Sequence, residues 1–145
     1  MAQSTETLPN GLQLLQDDRF CKLGQDSVLL SAFAKPRRNA KLLDLGCGTG
    51  ALALLVWRSD LKITGLELQD GPLDLFRQSI AANDLENVTA LQGDLRQMRT
   101  LLPHGSMDYV ICNPPYFDRN AGANAPTAEK YDAVCHSKYG PEAFD

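Results

Sequence analysis

Lys41-Leu42-Leu43-Asp44-Leu45-Gly46-Cys47-Gly48-Thr49-Gly50 holds the key to this chain. Lys41 to Leu45 is short and apolar enough for a buried strand. Three glycines at alternate positions follow it, and then Ala51-Leu52-Ala53-Leu54-Leu55 opens an apolar helix, expected from about Thr49 to Arg58. A strand that turns on glycines into a helix is a ready ligand cradle. Glycine lets the backbone approach a bound group, and a helix N-terminus favours negative charge. The plain alternative is a tight turn that needs its glycines for packing alone.

Working outward, the pattern repeats as strand and helix. Leu61 to Leu66 reads as a strand, and Pro72 suits the first turn of a helix whose Leu73, Phe76 and Ile80 share a face. Asn83-Asp84 closes that helix. Val88 to Leu91 is a third strand, Leu95 to Leu102 a short helix broken at Pro103, and Met107 to Cys112 a fourth strand. Apolar runs with helices between them predict a mostly parallel sheet covered on both faces, an α/β fold. Upstream, residues 1–10 read as a loose leader. Gly11 to Gln16 and Arg19 to Lys22 read as two short strands around an Asp17-Asp18 turn. A helix follows, capped by Asp26 or Ser27, with Val28, Leu29, Leu30 and Phe33 as its apolar face and Pro36 as its stop. This divides the chain into an N-terminal hairpin and helix (1–40), a core (41–117) and a substrate loop with a helix start (118–145).

Composition narrows the class. The 145 residues carry a net charge of −4, which gives no support to a general polyanion binder. No apolar run approaches the ~20 residues that span a bilayer, and residues 1–10 lack the basic and apolar regions of a signal peptide. The four cysteines, Cys21, Cys47, Cys112 and Cys135, form no Cys-x-x-Cys pair. They read as reduced thiols in a cytoplasmic protein with no metal site. Nothing in the sequence sets the oligomeric state.

Two features bear on the ligand. Glu67 ends the strand after the glycine loop, 21 positions past Gly46, where an acid can accept both ribose hydroxyls. Gly46-x-Gly48-x-x-Ala51 also fits a dinucleotide fingerprint, so a nicotinamide enzyme stays open. Asp44 argues against it: two residues before the first glycine, it would repel a pyrophosphate and suits a ligand with an ammonium group, as S-adenosyl-L-methionine carries.

The second feature is Val110-Ile111-Cys112-Asn113-Pro114-Pro115-Tyr116-Phe117. It runs off the carboxyl end of the fourth strand, the edge where open α/β sheets bind ligands. Two prolines stiffen the loop and remove two amide donors, leaving carbonyl acceptors exposed. Asn113 adds a side-chain acceptor, and Tyr116 with Phe117 offers a flat aromatic face. Such a socket suits a planar group bearing an NH2. Two acceptors hold its hydrogens and turn the nitrogen lone pair towards a methyl donor, so alignment replaces a strong base. A rigid proline turn with incidental aromatics is the unadorned alternative.

Together these stretches resemble the class I S-adenosylmethionine-dependent methyltransferases, with a Rossmann-like fold, and in particular their amino-methylating branch. Asp44 to Gly50 resembles the first motif of that family, which implies cofactor contacts from Asp44, Gly46, Gly48 and Gly50. Glu67 matches the ribose-binding acid, and Asp94 the acid that meets the adenine amino group. Asn113 to Tyr116 matches the catalytic motif of adenine-N6 and glutamine-N5 methyltransferases, implying catalysis by Asn113, Pro114 and Tyr116. Substrate contacts would come from Asn113, Pro115, Tyr116 and Phe117. Asn10 to Gln16 and Phe20 to Leu30 are similar to the opening of bacterial tRNA(Val) adenine-N6 methyltransferases, where a Gly-x-Asp segment, here Gly24 and Asp26, helps enclose the cofactor. Asp26 as a plain helix cap is the simpler alternative.

The resemblance implies an S-adenosyl-L-methionine-dependent N-methyltransferase acting on adenine N6 in tRNA. The alternatives are a protein glutamine-N5 methyltransferase, a nicotinamide oxidoreductase, or a cofactor-binding module without catalysis. It also implies seven strands where four are readable. The chain is therefore expected to be a fragment lacking the C-terminal strands, inactive alone, with Met107 to Cys112 left as an apolar edge.

Overall fold

The computed structural model describes residues 3–20 and 22–114. Its order is β1 (Gln3–Thr7), β2 (Gln13–Asp17), α1 (Gln25–Phe33), β3 (Lys41–Leu45), α2 (Ala51–Leu55), β4 (Lys62–Glu67), α3 (Asp70–Ala82), β5 (Val88–Gln92), α4 (Met98–Leu101) and β6 (Tyr109–Cys112). A 3-10 turn, Leu95–Gln97, leads into α4.

Four strands form a parallel sheet in the order β5-β4-β3-β6. The glycine-loop strand β3 thus lies between β4 and β6. Alternation along the strands divides the core between two faces. Leu42 and Ile63 point to one face and pack with Leu52, Ala53, Leu73 and Phe76. Leu43, Leu45 and Leu66 point to the other, against Leu91, Leu95, Met98 and Leu101. Both faces therefore carry helical cover, as the near-continuous apolar strands predicted. Val110 on β6 remains 59% exposed.

Phe76 organises the first face. Its ring lies so close to Gly50 and Gly65 that a Cβ on either would overlap it. Absence of a side chain on α2's cap and on β4 is what lets α3 settle against the sheet. The spacing of Leu73 and Phe76 already put them on α3's inner face, and both are fully buried.

The N-terminal region differs from expectation in three ways. Residues 3–7 of the expected leader form β1, paired antiparallel with β2. The second expected strand, at Arg19 to Lys22, is absent among the described residues. Asp17 instead turns back to accept from the Arg19 N–H and guanidinium at 2.9 to 3.1 Å, making a local turn that ends pairing. α1 is capped by Gly24 without a side-chain hydrogen bond, so neither Asp26 nor Ser27 caps it. Both lie inside its first turn. Its expected apolar face is also largely open: Leu29 is 62% and Phe33 84% exposed, while Leu30 packs partly on the core.

The hairpin is seated on α3. Asn83 accepts from the Gln13 N–H at 2.8 Å and donates to the Gln13 carbonyl at 2.7 Å. Ser79 Oγ accepts from the Leu15 N–H at 2.9 Å. Ser79 of α3 and Asn83 at its C-cap thereby satisfy the edge of β2 that β1 does not use, and Asn10 adds a bond to the Leu54 carbonyl at 2.8 Å. α2 is shorter than expected and ends at Leu55, where Val56 and Trp57 donate in a tightening last turn.

Candidate functional site

The carboxyl ends of β3, β4, β5 and β6 lie along one edge of the sheet, and the residues singled out in the sequence gather there. Leu45 pairs with Leu66 on one side and with Cys112 on the other. Gly46, Glu67 and Asn113 are therefore brought to the same edge by register. Glu67 pairs with Gln92, which brings Gly93 and Asp94 beside them.

The glycine loop is held from the β4 side. The N–H groups of Gly46 and Cys47 both donate to the Leu66 carbonyl, at 2.8 and 3.0 Å. Gly46, Gly48 and Gly50 all have positive φ (70°, 55° and 88°), the region where a side chain is strained. Their reasons differ. Gly50 must also be bare because Phe76 lies against it. Gly48 has nothing within 4 Å of where a Cβ would stand, so its bareness leaves open space above the loop. That is the cradle a bound ligand would use.

Three acids stand along this edge of the sheet. Glu67 Oε1 accepts from the Gly48 N–H and Oε2 from the Gln69 N–H, both at 2.9 Å. Burial raises its carboxyl above the usual range, against the pull of those N–H groups. Asp44 is buried under the loop, and its Oδ2 accepts from the Ala53 N–H at 3.1 Å, joining β3 to α2. Burial pushes its pKa up to about 7, and the nearby Glu67 charge adds to the rise. Asp94 caps the 3-10 turn and is engaged by Arg96, whose guanidinium reaches Oδ2 at 2.8 Å. Sequence reading did not anticipate this partner. Cys47 and Cys112 are free thiols, both pushed up in pKa by burial, Cys112 to about 11, so neither is an activated nucleophile.

Asn113 and Pro114 follow β6 directly. The Asn113 Nδ2 donates to Ser27 Oγ of α1 at 3.3 Å, across 86 positions of chain. The first turn of α1, with Gly24 and Asp26, is thereby joined to the end of β6. Nothing in the sequence pattern signals this contact, since it depends on how a peripheral helix meets the sheet. Pro115, Tyr116, Phe117 and the whole of 118–145 lie outside the described residues.

A cleft of about 470 Å³ lies elsewhere, towards the amino ends of the strands, with Lys41, Lys62, Asn87 and Ser106 in its wall. Among the described residues, no helix is long and apolar enough to cross a membrane, and no group of three His, Cys, Asp or Glu is placed to hold a metal ion.

The model of the methyltransferase small domain matches residues 20–130, and the chain belongs to that family. The tRNA1(Val) (adenine(37)-N6)-methyltransferase of Shewanella halifaxensis is 34% identical over 133 residues, 89% of this chain and 52% of that protein. The chain thus spans about half the length of the curated relatives it matches. Among solved structures, TrmN from Thermus thermophilus is 25% identical with a TM-score of 0.53, over 61% of this chain and 27% of its own. TYW2 of M. jannaschii, solved in complex with AdoMet, shares the fold at a TM-score of 0.65 and 18% identity, over 79% of this chain and 52% of its own.

Proposed function

We propose that the chain carries the cofactor-binding region of an S-adenosyl-L-methionine-dependent N-methyltransferase acting on adenine N6 in tRNA in the cytoplasm. The observation that carries this reading is the meeting, at one sheet edge, of an acid-lined glycine loop with Asn113-Pro114. The likeness to the Shewanella tRNA1(Val) (adenine(37)-N6)-methyltransferase supports it.

The residues present fit the cofactor. Among the described residues, the charged side chains hydrogen-bonded to the glycine loop and to the helix after it are acidic, Glu67 and Asp44, which disfavours a pyrophosphate and suits an ammonium and a ribose. Open space at Gly48 admits a ligand against the backbone. Glu67 keeps a lone pair on each oxygen beyond the two N–H groups it already accepts, so it can take the ribose hydroxyls. Asp94, steadied by Arg96, would meet the adenine amino group, and Gly24 with Asp26 would close over the ligand from α1.

When bound, the cofactor supplies a methyl group on a positively charged sulfur, which the amine lone pair takes as the carbon–sulfur bond breaks. The chain's part is alignment. Asn113 Oδ1 and the Pro114 carbonyl accept the two amine hydrogens, draw the nitrogen out of conjugation, and aim its lone pair. The extra proton on the methylated nitrogen then leaves to water. Pro115, Tyr116 and Phe117 would stack and enclose the base.

The test uses the full-length protein. Calorimetry with S-adenosylhomocysteine and with NADH should give binding of the first alone, and tritiated cofactor should label tRNA. Label in a glutamine-bearing protein instead would move the substrate to an amide. Cofactor binding with no label in either would mark a non-catalytic module.

A further inference from the structure

We infer that Ser27 is a positioning residue for the transfer step, holding the Asn113 amide so that its oxygen faces the reacting amine. The inference rests on the reading of Asn113 as an acceptor. An asparagine amide can sit in two orientations related by a half-turn, and only one presents oxygen to an NH2. The other sets donor against donor. In the structure Asn113 Nδ2 donates to Ser27 Oγ at 3.3 Å, so the nitrogen lies towards α1 and Oδ1 on the far side. The hydroxyl can accept or donate, so the bond fixes where the amide sits, and the donors of the amine favour the oxygen.

The use of Ser27 is specific. Serine in a first helical turn ordinarily serves the backbone, as a cap or by bonding back to a carbonyl. Ser31, one turn on, does so and donates to the Val28 carbonyl at 2.7 Å. Ser27 does not: α1 has no side-chain cap, and its N-terminus rests on Gly24. Nor does burial explain the residue, since no residue of α1 is buried. Its hydroxyl is spent on a group 86 positions away, at the carboxyl edge of the sheet.

The full-length protein would be compared as wild type, Ser27→Ala, Ser27→Thr, Asn113→Ala and the double alanine variant. Readouts are single-turnover methyl transfer to tRNA, S-adenosylhomocysteine affinity, and thermal melting to check folding. Ser27→Ala should slow transfer by about three- to tenfold, the range of one neutral hydrogen bond, with cofactor affinity within about twofold. Ser27→Thr, which keeps the hydroxyl, should restore the rate. In the Asn113→Ala background the Ser27→Ala change should add nothing, because the group it positions is gone. Three results would overturn the inference: an unchanged rate in Ser27→Ala while Asn113→Ala is slow; an equal further loss in the double variant; or a loss confined to cofactor affinity. A full rate in Asn113→Ala would instead overturn the reading of Asn113, and this inference with it.

Discussion

The Gly48 N–H donates to Glu67 Oε1 at 2.9 Å, so the middle of the glycine loop is pinned to the carboxylate that ends the neighbouring strand. One side chain therefore shapes the loop and stands beside the open space at Gly48. Glu67→Ala should cost about 1–3 kcal/mol of S-adenosylhomocysteine affinity, since it removes an acceptor from both the ligand and the loop. Glu67→Gln keeps an acceptor for one N–H only and should fall between. Isothermal calorimetry reads both.

Asn113→Ala should show the reverse profile. Loss of a preorganised acceptor should lower turnover by ~100-fold or more while cofactor affinity stays within about twofold. A quenched assay with tritiated cofactor, run beside calorimetry, separates the two effects. Unaltered turnover would remove Asn113 from the catalytic step.

Asp44 sets a pH dependence. Its pKa is about 7 in the fold against an ordinary 3.8, so between those values the native state holds a proton that the unfolded chain has lost. Stability should therefore fall as pH rises from about 4 to 7, with Glu67, also raised, acting in the same direction. Asp44→Asn should flatten that slope, as thermal melts from pH 4 to 8 would reveal. An ammonium-bearing ligand favours the ionised carboxylate. Its binding at pH 6 should release a proton and weaken by up to about tenfold per pH unit below 7. Calorimetry in two buffers of different ionisation enthalpy measures the proton, and Asp44→Asn should abolish it.

The glycines should divide by cause. Gly65→Ala pushes a methyl group into the Phe76 ring and should destabilise by about 1–3 kcal/mol in urea unfolding. Gly48→Ala meets open space and bears only the strain of its φ of 55°, about 1–2 kcal/mol, but should impair cofactor binding.

Asn83→Ala should loosen the hairpin locally. It leaves the Gln13 N–H and carbonyl without their partner, at about 1–3 kcal/mol. Hydrogen exchange at Gln13 and Leu15 should quicken well before that of Leu43 on the central strand.

The sheet was legible because burial on both faces leaves its mark in sequence. β3, β4 and β5 each lie within about one residue of expectation, and β6 starts two later, at Tyr109. The glycine loop and its acids were legible for a similar reason: each sits at or just past the carboxyl end of a strand. Contacts that join distant elements left no such mark. β1 reads QSTET, wholly exposed, and gains its pairing only from β2. Arg96 on Asp94 is a choice of rotamer. Ser27 on Asn113 depends on where α1 lies, and the expected apolar stripe of α1 gave the wrong guide, since Leu29 and Phe33 face outward.

The seat of the hairpin also sets a schedule for making the protein. Gln13 and Leu15 take their bonds from Asn83 and Ser79, which are synthesised 70 and 64 residues later. At ribosomal speeds of about 5–20 residues per second, that interval is about 3 to 14 s. A two-stranded hairpin alone is marginal in water. Leu8 and Leu14, fully enclosed in the finished fold, thus leave the ribosome with nothing to lie against. The hairpin is thus translated before the residues that seat it, and its docking must wait for α3.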